Sequence, residues 1–355
     1  ILKYSDSSLP NNYSSGMRVS SADFDNDGDF DLFVGGRVVP GMYPVPAKSC
    51  LLVNQSNNKE IIFTNATNEE FSNNDLGLIT SSVWTDYNND NWIDLIVVGE
   101  WTPIMFFKNM DGKLVEDKSL IDEDSTRGWW YDITSEDFDN DGDMDLVVGN
   151  LGNNYKYQAN EDETFDIFYN DFDGNNSGDI VLSYYHDGEQ YPLRGRQCSS
   201  EQIPAIKLKF DDYDASSIAT LEDVYTEPAL ENSLHYFTKT FSSVYLENVG
   251  NSFIMSKLPV LAQLSSVNKI LKKDIDDDGF VDIIISGNMF NSEVETPRND
   301  GSVGALLKFE PNSGFKAIPA RQSGLFLNGD IKDMEFISLK NNDYIISAEN
   351  NDLIE

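Results

Sequence analysis

Five short aspartate-rich segments repeat along the chain with one internal spacing. The first reads Asp-Phe-Asp-Asn-Asp-Gly-Asp-Phe-Asp over residues 23–31, and related segments begin at Asp86, Asp137, Asp171 and Asp274. In a nine-residue loop of the form D-x-D-x-D-G-x-x-D, the side chains at positions one, three, five and nine converge, and the main-chain carbonyl at position seven adds an oxygen. Such a set of hard oxygen ligands suits calcium, whereas zinc prefers histidine or cysteine. The repeats therefore predict about five calcium sites, which we number as loops one to five.

The predicted metal-binding residues occupy the odd-numbered positions of each loop. They are Asp23, Asp25, Asp27, Asp29 and Asp31 in loop one; Asp86, Asn88, Asp90, Trp92 and Asp94 in loop two; Asp137, Asp139, Asp141, Asp143 and Asp145 in loop three; Asp171, Asp173, Asn175, Ser177 and Asp179 in loop four; and Asp274, Asp276, Asp278, Phe280 and Asp282 in loop five. Loops two and four replace one converging carboxylate by asparagine. We therefore expect them to bind calcium most weakly.

Position six must fold the loop around the ion, and glycine there accepts the positive φ that this requires. Loops one, three and five have glycine at this position, while loops two and four have Asn91 and Asn176. Asparagine tolerates the left-handed region best after glycine. Without metal, the crowded carboxylates would raise one another's pKa, which argues against five merely solvated acidic turns. The metal is predicted to stabilise the fold and not to catalyse a reaction.

Each loop lies between a short alternating stretch and a continuous apolar run. Residues 17–20 precede loop one and residues 32–35 follow it, which indicates a strand, a tight loop and a buried strand. Two outer strands follow, for example residues 51–53 and 61–63, and four strands are typical of one propeller blade. We predict an all-β fold, a single β-propeller over residues 1–355 with six or seven four-stranded blades.

The loops begin 63, 51, 34 and 103 residues apart, so the period is irregular and insertions must be present. A small helical insertion is predicted over residues 192–241, with helices over 214–226 and 226–238, where Leu230, Leu234 and Phe237 share a helical face. A sixth, metal-free repeat is predicted over residues 331–347, with its turn at 341–343. Residues 1–4 are expected to add a strand to this last unit and close the ring.

Composition narrows the choice of partners. The chain has 61 acidic and 25 basic residues, a net charge of −36, which disfavours nucleic acid and anionic membrane surfaces and favours cations. No apolar run approaches the length of a membrane span, so no direct span is expected. The chain has two cysteines, Cys50 and Cys198. This number implies no disulfide framework, although it allows a single disulfide between them. The start at Ile1 suggests a processed piece whose export or anchoring segment lies elsewhere.

The residues outside the metal ligands distinguish a binding role from an enzymatic one. Clustered carboxylates could serve a glycosidase, but most are committed here as metal ligands. His186 and His235 lie near no nucleophile motif, and Ser199 and Ser200 form no nucleophile elbow. We expect a binding module and not an enzyme, with a component of a carbohydrate-active enzyme as the alternative.

Two groups of side chains outside the loops could contact a partner. The basic cluster of Arg194, Arg196, Lys207 and Lys209 could pair internally with the nearby aspartates 211, 212 and 214, or could contact an acidic glycan or a protein. The tryptophans at 101, 129 and 130 could stack on sugars or pack in the core.

The loops resemble the FG-GAP/VCBS repeats also found in integrin α-chain propellers, and the resemblance covers most of the chain. Segments 149–154, 171–175, 194–200 and 295–300 look like bacterial surface proteins that carry VCBS repeats beside an ASPIC/UnbV-like region. Such proteins are typically outer-membrane lipoproteins, several beside TonB-dependent nutrient-uptake systems. The resemblance implies a recognition or scaffolding subunit on the extracellular face of the outer membrane, or a secreted one, with a protein or glycan partner.

Overall fold

The computed structural model describes residues 8–10, 15–57, 60–67, 71, 75–292, 296–340 and 342–351. Within these ranges the chain is mostly β, with twenty-three strands in six sheets and six short α-helices. The predicted all-β class is confirmed at this level. Among the described helices, none has the length and apolar character needed to cross a bilayer.

The first two sheets are antiparallel meanders. Sheet one contains β1 (Ser15–Ala22), β2 (Asp31–Val38), β3 (Cys50–Asn54) and β4 (Phe63–Asn65). Sheet two contains β5 (Leu78–Thr85), β6 (Asp94–Thr102), β7 (Met105–Asn109) and β8 (Leu114–Glu116), with β9 (Gly128–Trp129) added to β6. In both sheets the loop connects the first two strands, as the sequence predicts, and the aspartate at position nine opens the second strand.

The third sheet is interrupted by a fourth. Strands β10 (Asp132–Glu136) and β11 (Asp145–Gly149) are followed by sheet four, which contains β12 (Phe165–Asn170), β13 (Asp179–His186), β14 (Glu189–Pro192) and β15 (Leu234–Thr238). Only then do β16 (Val244–Asn248) and β17 (Phe253–Lys257) complete sheet three, in the order β10-β11-β16-β17. Residues 150–243 are thus inserted between the second and third strands of sheet three. This nesting explains the short spacing between loops three and four.

Five short helices follow β14 within the stretch predicted to be helical. They are α1 (Arg196–Gln202), α2 (Ala205–Lys209), α3 (Tyr213–Ser217), α4 (Leu221–Tyr225) and α5 (Glu227–Glu231). The predicted helix over 226–238 is wrong in its second half, because residues 234–238 form β15. Leu234 and Phe237 fit the helical period, but β15 pairs with β12 along its whole length and gains sheet hydrogen bonds there.

The last two sheets follow in order. Sheet five contains β18 (Lys269–Lys273), β19 (Asp282–Ser286), β20 (Ala305–Glu310) and β21 (Gly314–Ile318), and is followed by α6 (Ala320–Ser323). Sheet six is a hairpin of β22 (Ile331–Leu339) and β23 (Asn342–Glu349). The predicted sixth repeat is therefore a strand pair, although residues 342 and 343 belong to β23 and not to the turn. Residue 341 and residues 1–4 lie outside the described residues, so the closing strand stays a prediction.

The first strands of four sheets meet at one buried carboxylate. Asp132 of β10 accepts a hydrogen bond from the Ser81 hydroxyl of β5 at 2.9 Å and from the main-chain N–H of Ile270 in β18 at 3.0 Å. The Arg18 guanidinium of β1 lies 3.6 Å from the same side chain. Sheets one, two, three and five therefore direct their first strands toward a shared centre.

The second residue of the loops joins each sheet to the next. In the first three loops this residue is a buried aromatic, namely Phe24, Tyr87 and Phe138. Their rings lie 6.1 Å from Trp84 of sheet two, 6.4 Å from Phe253 of sheet three and 6.4 Å from Phe309 of sheet five, respectively. Each buried ring contributes about 2 kcal/mol to the free energy of unfolding. The aromatic residue at position two of these loops thus packs the sheets together.

Candidate metal centres

The aspartate at position nine anchors each loop to its sheet. All five are at most 4% exposed: Asp31, Asp94, Asp145, Asp179 and Asp282. One carboxylate oxygen accepts the main-chain N–H of position two, at N–O distances of 3.0–3.4 Å. In four loops the other oxygen accepts a main-chain N–H from the third strand of the sheet, at 2.7–3.1 Å. The donors are Asn54, Asn109, Asn248 and Phe309, so the carboxylate fixes the loop against two strands.

The aspartate at position one organises the turn itself. Its two oxygens accept the main-chain N–H groups of position five at 2.9–3.2 Å and of position six at 2.8–3.1 Å, in every loop. The side chain at position five accepts the N–H of position seven at 2.7–3.1 Å, including those of Trp92, Ser177 and Phe280. Loops two and four therefore adopt the same conformation as the others despite their asparagines.

Two positions of each loop have positive φ. Position six does so as predicted, with φ of 70° at Asn91 and 64° at Asn176. Position four does so as well, in Asn26, Asn89, Asn140, Gly174 and Asp277, with φ between 56° and 74°. The sequence analysis missed this second position, although residues that tolerate the left-handed region occupy it in every copy.

Neighbouring loops are linked through position four. The Asn89 side chain of loop two donates to the carbonyl of Gly142 in loop three at 3.2 Å, and Asn140 of loop three donates to the carbonyl of Gly279 in loop five at 2.9 Å. The acceptor is in each case position six of the next loop. Loops two, three and five therefore form a connected row on one side of the sheets.

The donor atoms fit a hard divalent cation. Three carboxylates place oxygens within 4.8 Å of one another in loop one (Asp23, Asp25, Asp27), loop three (Asp137, Asp139, Asp141), loop four (Asp171, Asp173, Asp179) and loop five (Asp274, Asp276, Asp282). Loop two does not form such a trio among the described residues, because Asn88 replaces the carboxylate at position three and donates its Nδ2 to Asp94 at 2.9 Å. Buried oxygens of Asp29, Asn88 and Asp143 have no hydrogen-bond donor, and a bound cation would satisfy such acceptors.

Burial and mutual repulsion raise the pKa of these carboxyl groups. Burial, with a smaller contribution from the charge of Asp25, raises the pKa of Asp31 to about 6. Burial, with a smaller contribution from the charge of Asp90, raises the pKa of Asp94 to about 7. The pKa of Asp143 rises to about 7 through burial and the charge of Asp141. The expected rise in pKa is present, with burial as its largest cause. A divalent cation would favour the ionised form of each group.

The third strands bring charged side chains to three of the loops, and the sequence analysis did not identify them. Lys108 of β7 lies 3.1 Å from Asp90 of loop two. Lys308 of β20 forms ion pairs with Asp276 and with Asp278 of loop five. Beside loop three the corresponding residue is Glu247 of β16, whose charge adds to the burial that raises the pKa of Asp139. In the sequence, each of these charged residues stands immediately before the third-strand residue whose N–H binds the aspartate at position nine.

Loop four is attached differently. In the other loops, one oxygen of the position-nine aspartate accepts a third-strand N–H. In loop four, the corresponding oxygen of Asp179 accepts a hydrogen bond from the side-chain amide of Gln202 in α1 at 3.3 Å. A helix of the insertion therefore takes the place that a strand occupies in the other sheets.

The remaining candidate residues hydrogen-bond or pack within the fold. His235 Nε2 lies 2.7 Å from Asp166, and its ring stacks on Phe168 at 4.2 Å. Trp101 and Trp130 are fully buried, so core packing accounts for both. Cys50 is buried in β3 and Cys198 lies in α1, and no disulfide joins these two described residues.

Comparison with known proteins identifies the repeats. The FG-GAP-like repeat model matches residues 86–148, which include loops two and three and the strand after each. A search of curated proteins finds no match. Among solved structures, the V. cholerae biofilm matrix protein Bap1 aligns with 96% of this chain and 67% of that chain, at 10% identity and a TM-score of 0.32, which is too low to support an argument. The chain therefore contains FG-GAP-like repeats over residues 86–148.

Proposed function

We propose that this chain is a calcium-binding β-propeller module that serves recognition or scaffolding at a bacterial cell surface and is not an enzyme. The observation that carries the proposal is the shared geometry of the five loops. Each lies between the first two strands of a sheet. In each, the side chains at positions one, five and nine accept hydrogen bonds from the same main-chain N–H groups of the loop. Calcium in these loops would hold the first strand pair of each sheet together.

The propeller arrangement is supported by the convergence of first strands on Asp132 and by the aromatic contacts between successive sheets. In this proposal sheets one, two, three, five and six are blades, so the described ranges supply five of the six or seven predicted blades. Sheet four and its helices would extend from the ring, because they are inserted within sheet three.

The cell-surface location is supported by the chemistry of the loops and by the resemblance to exported proteins with VCBS repeats. Extracellular calcium at millimolar levels would saturate sites with dissociation constants of roughly 10⁻⁴ to 10⁻³ M. We place the module on the outer face of the outer membrane or in the secreted fraction, as an accessory subunit of a nutrient-uptake complex with a protein or glycan partner. The clustered carboxylates of the loops, which an enzyme could use, are engaged in loop hydrogen bonds.

Thermal unfolding with and without a chelator, together with metal analysis of the purified chain, tests the proposal. We expect about five bound calcium ions. At a twenty-fold excess of calcium over the dissociation constant, each site contributes about 2 kcal/mol, so chelation should lower the Tm by roughly 10 °C. An unchanged Tm in a protein without bound calcium would contradict the proposal.

A further inference from the structure

A cavity of about 220 Å³ opens between sheet four and the helices that follow it. It lies within the inserted residues 150–243 and contains none of the predicted calcium ligands. Charged, hydroxyl and aromatic side chains line it, among them Arg194, Arg196, Ser199, Ser216, Tyr184 and Tyr191. This combination differs from the acidic surface expected for a chain of net charge −36.

The positive charge of Arg196 is held in place without a carboxylate. Its Nε donates to the carbonyl of Phe210 at 2.7 Å, and its Nη2 contacts the carbonyls of Lys207 and Asp211 at 3.4 Å. The guanidinium lies 5.1 Å from the ring centroid of Tyr213. Internal pairing with the carboxylates of 211, 212 and 214 is therefore wrong for this arginine. Main-chain carbonyls fix the side chain and leave its full charge for an anion.

Arg194 is positioned by α1. Its Nη1 donates to the Gln202 side-chain oxygen at 3.4 Å, and its carbonyl accepts the Ser199 hydroxyl at 3.0 Å. Two arginines thus line one small cavity. Planar guanidinium groups suit the bidentate recognition of a carboxylate better than lysine does.

Two further cavities are linked to this one through shared lining residues, and we refer to the three together as the groove. A second cavity of about 430 Å³ shares Tyr184 and Leu193 with the first and is also lined by Lys156 and Tyr157. A third, of about 350 Å³, shares Lys156 and adds Arg298. The ring of Tyr184 is 38% exposed. Aromatic rings beside hydrogen-bonding groups provide stacking surfaces for sugar rings along the groove.

We propose that this groove binds an acidic oligosaccharide, with a sugar carboxylate in the arginine cavity and neighbouring sugar rings along the tyrosines. Arg194 and Arg196 line the first cavity and Lys156 lines the other two, whereas Arg298 is paired with Asp300 at 2.7 Å. This separation of positive residues matches a glycan with spaced charges better than a dense polyanion. The inference rests on the proposed recognition of a glycan and names its chemistry, but it uses no loop carboxylate, so its failure would leave the calcium function standing.

The experiment measures binding of a hexasaccharide of alternating glucuronate and N-acetylglucosamine to the full chain by calorimetry in saturating calcium. A neutral cellohexaose is the matched ligand control. We expect the acidic hexasaccharide to bind and the neutral one to bind at least tenfold more weakly. Equal binding of both ligands, or no binding of the acidic one, would overturn the proposal.

Variants separate the groove from general charge effects. Arg196→Ala and Tyr184→Ala should each weaken binding about tenfold, while Arg196→Lys should retain part of it. The control is Arg321→Ala, an exposed arginine outside the groove that should leave the dissociation constant unchanged. Because Arg196 also holds the helices, the exposed Tyr184 provides the variant that keeps the fold. If Tyr184→Ala binds as the parent does, the groove assignment is wrong, whatever the calcium-dependent melting shows.

Discussion

Loops three and five have the same four converging carboxylates, yet the strands beside them differ in charge. In sheets two, three and five, the residue before the third-strand N–H that binds position nine lies beside the loop. That residue is Glu247 beside loop three and Lys308 beside loop five. Glu247 adds negative charge near Asp139, whereas Lys308 forms ion pairs with two carboxylates of its loop. We therefore expect the affinity for calcium to depend on the neighbouring strand as well as on the loop.

This difference refines the ranking expected from carboxylate number alone. Loop two lacks one carboxylate and also faces Lys108, so it should be the weakest site. Loop five keeps four carboxylates but should bind more weakly than loop three, since calcium must displace or tolerate Lys308.

The largest effect should follow from Asp145→Ala in loop three. The change removes a ligand and the acceptor for the N–H groups of Phe138 and Asn248 and for the Tyr245 hydroxyl. We expect the loss of one calcium ion and a decrease of about 3 kcal/mol in the free energy of unfolding, measured by denaturant titration in calcium. Asp187→Ala, at an exposed carboxylate, is the control. Retention of the full metal content would show that Asp145 is not a ligand anchor.

Exchanging the two strand charges tests the comparison directly. Lys308→Glu should tighten calcium binding at loop five, and Glu247→Lys should weaken it at loop three, each by about tenfold or 1.4 kcal/mol. Calcium titration by calorimetry measures both changes. Lys257→Glu, at an exposed lysine in the last position of β17, controls for net charge. If all three variants bind calcium alike, the neighbouring strand does not set the affinity.

The response to pH should reverse sign between the metal-free and calcium-bound protein. Burial raises the pKa of Asp31 and Asp145 to about 6 and that of Asp94 to about 7 in the folded, metal-free chain. The folded state then holds more protons than the unfolded state between about pH 4 and 7, so the stability of the metal-free protein falls as pH rises through this window.

Calcium requires the ionised carboxylates, so the calcium-bound protein should instead gain stability over the same rise in pH. Tm values measured from pH 5 to 7.5, with and without chelator, should shift by a few degrees in opposite directions. Parallel trends in the two series would contradict the assignment of these carboxylates as ligands.

The smallest effect should come from Gln202→Ala, which removes the side-chain donor to Asp179 of loop four. We expect calcium affinity at this loop to fall about threefold, because the Asp179 carboxylate loses one hydrogen bond from a neutral donor. Titration of loop four in a variant whose other loops are disabled measures this change, with Gln197→Ala, an exposed residue of the same helix, as the control. An effect at Gln197 equal to that at Gln202 would point to the helix as a whole.

The loops could be predicted from the sequence because their chemistry is local. Nine adjacent residues contain both the ligands and the turn conformation, and each copy leads into an apolar strand. Lys308 and Glu247 could not be assigned to a loop in the same way, since their position depends on strand register. Lys308 lies 26 residues beyond Asp282 of loop five, and Glu247 lies 102 residues beyond Asp145 of loop three. The nesting of sheet four also depends on long-range pairing, between β11 and β16, that no local signal reveals.

Anomalous diffraction from crystals of the chain grown in calcium and then exchanged with a lanthanide tests the assignment of the five loops as calcium sites most directly. We predict peaks in the loops, each about 2.3 to 2.6 Å from the side-chain oxygens of positions one, three and five and of the buried aspartate at position nine. Loop three should retain its ion at the lowest metal concentration and loop two should lose it first. Peaks elsewhere, with the five loops empty, would contradict the central claim.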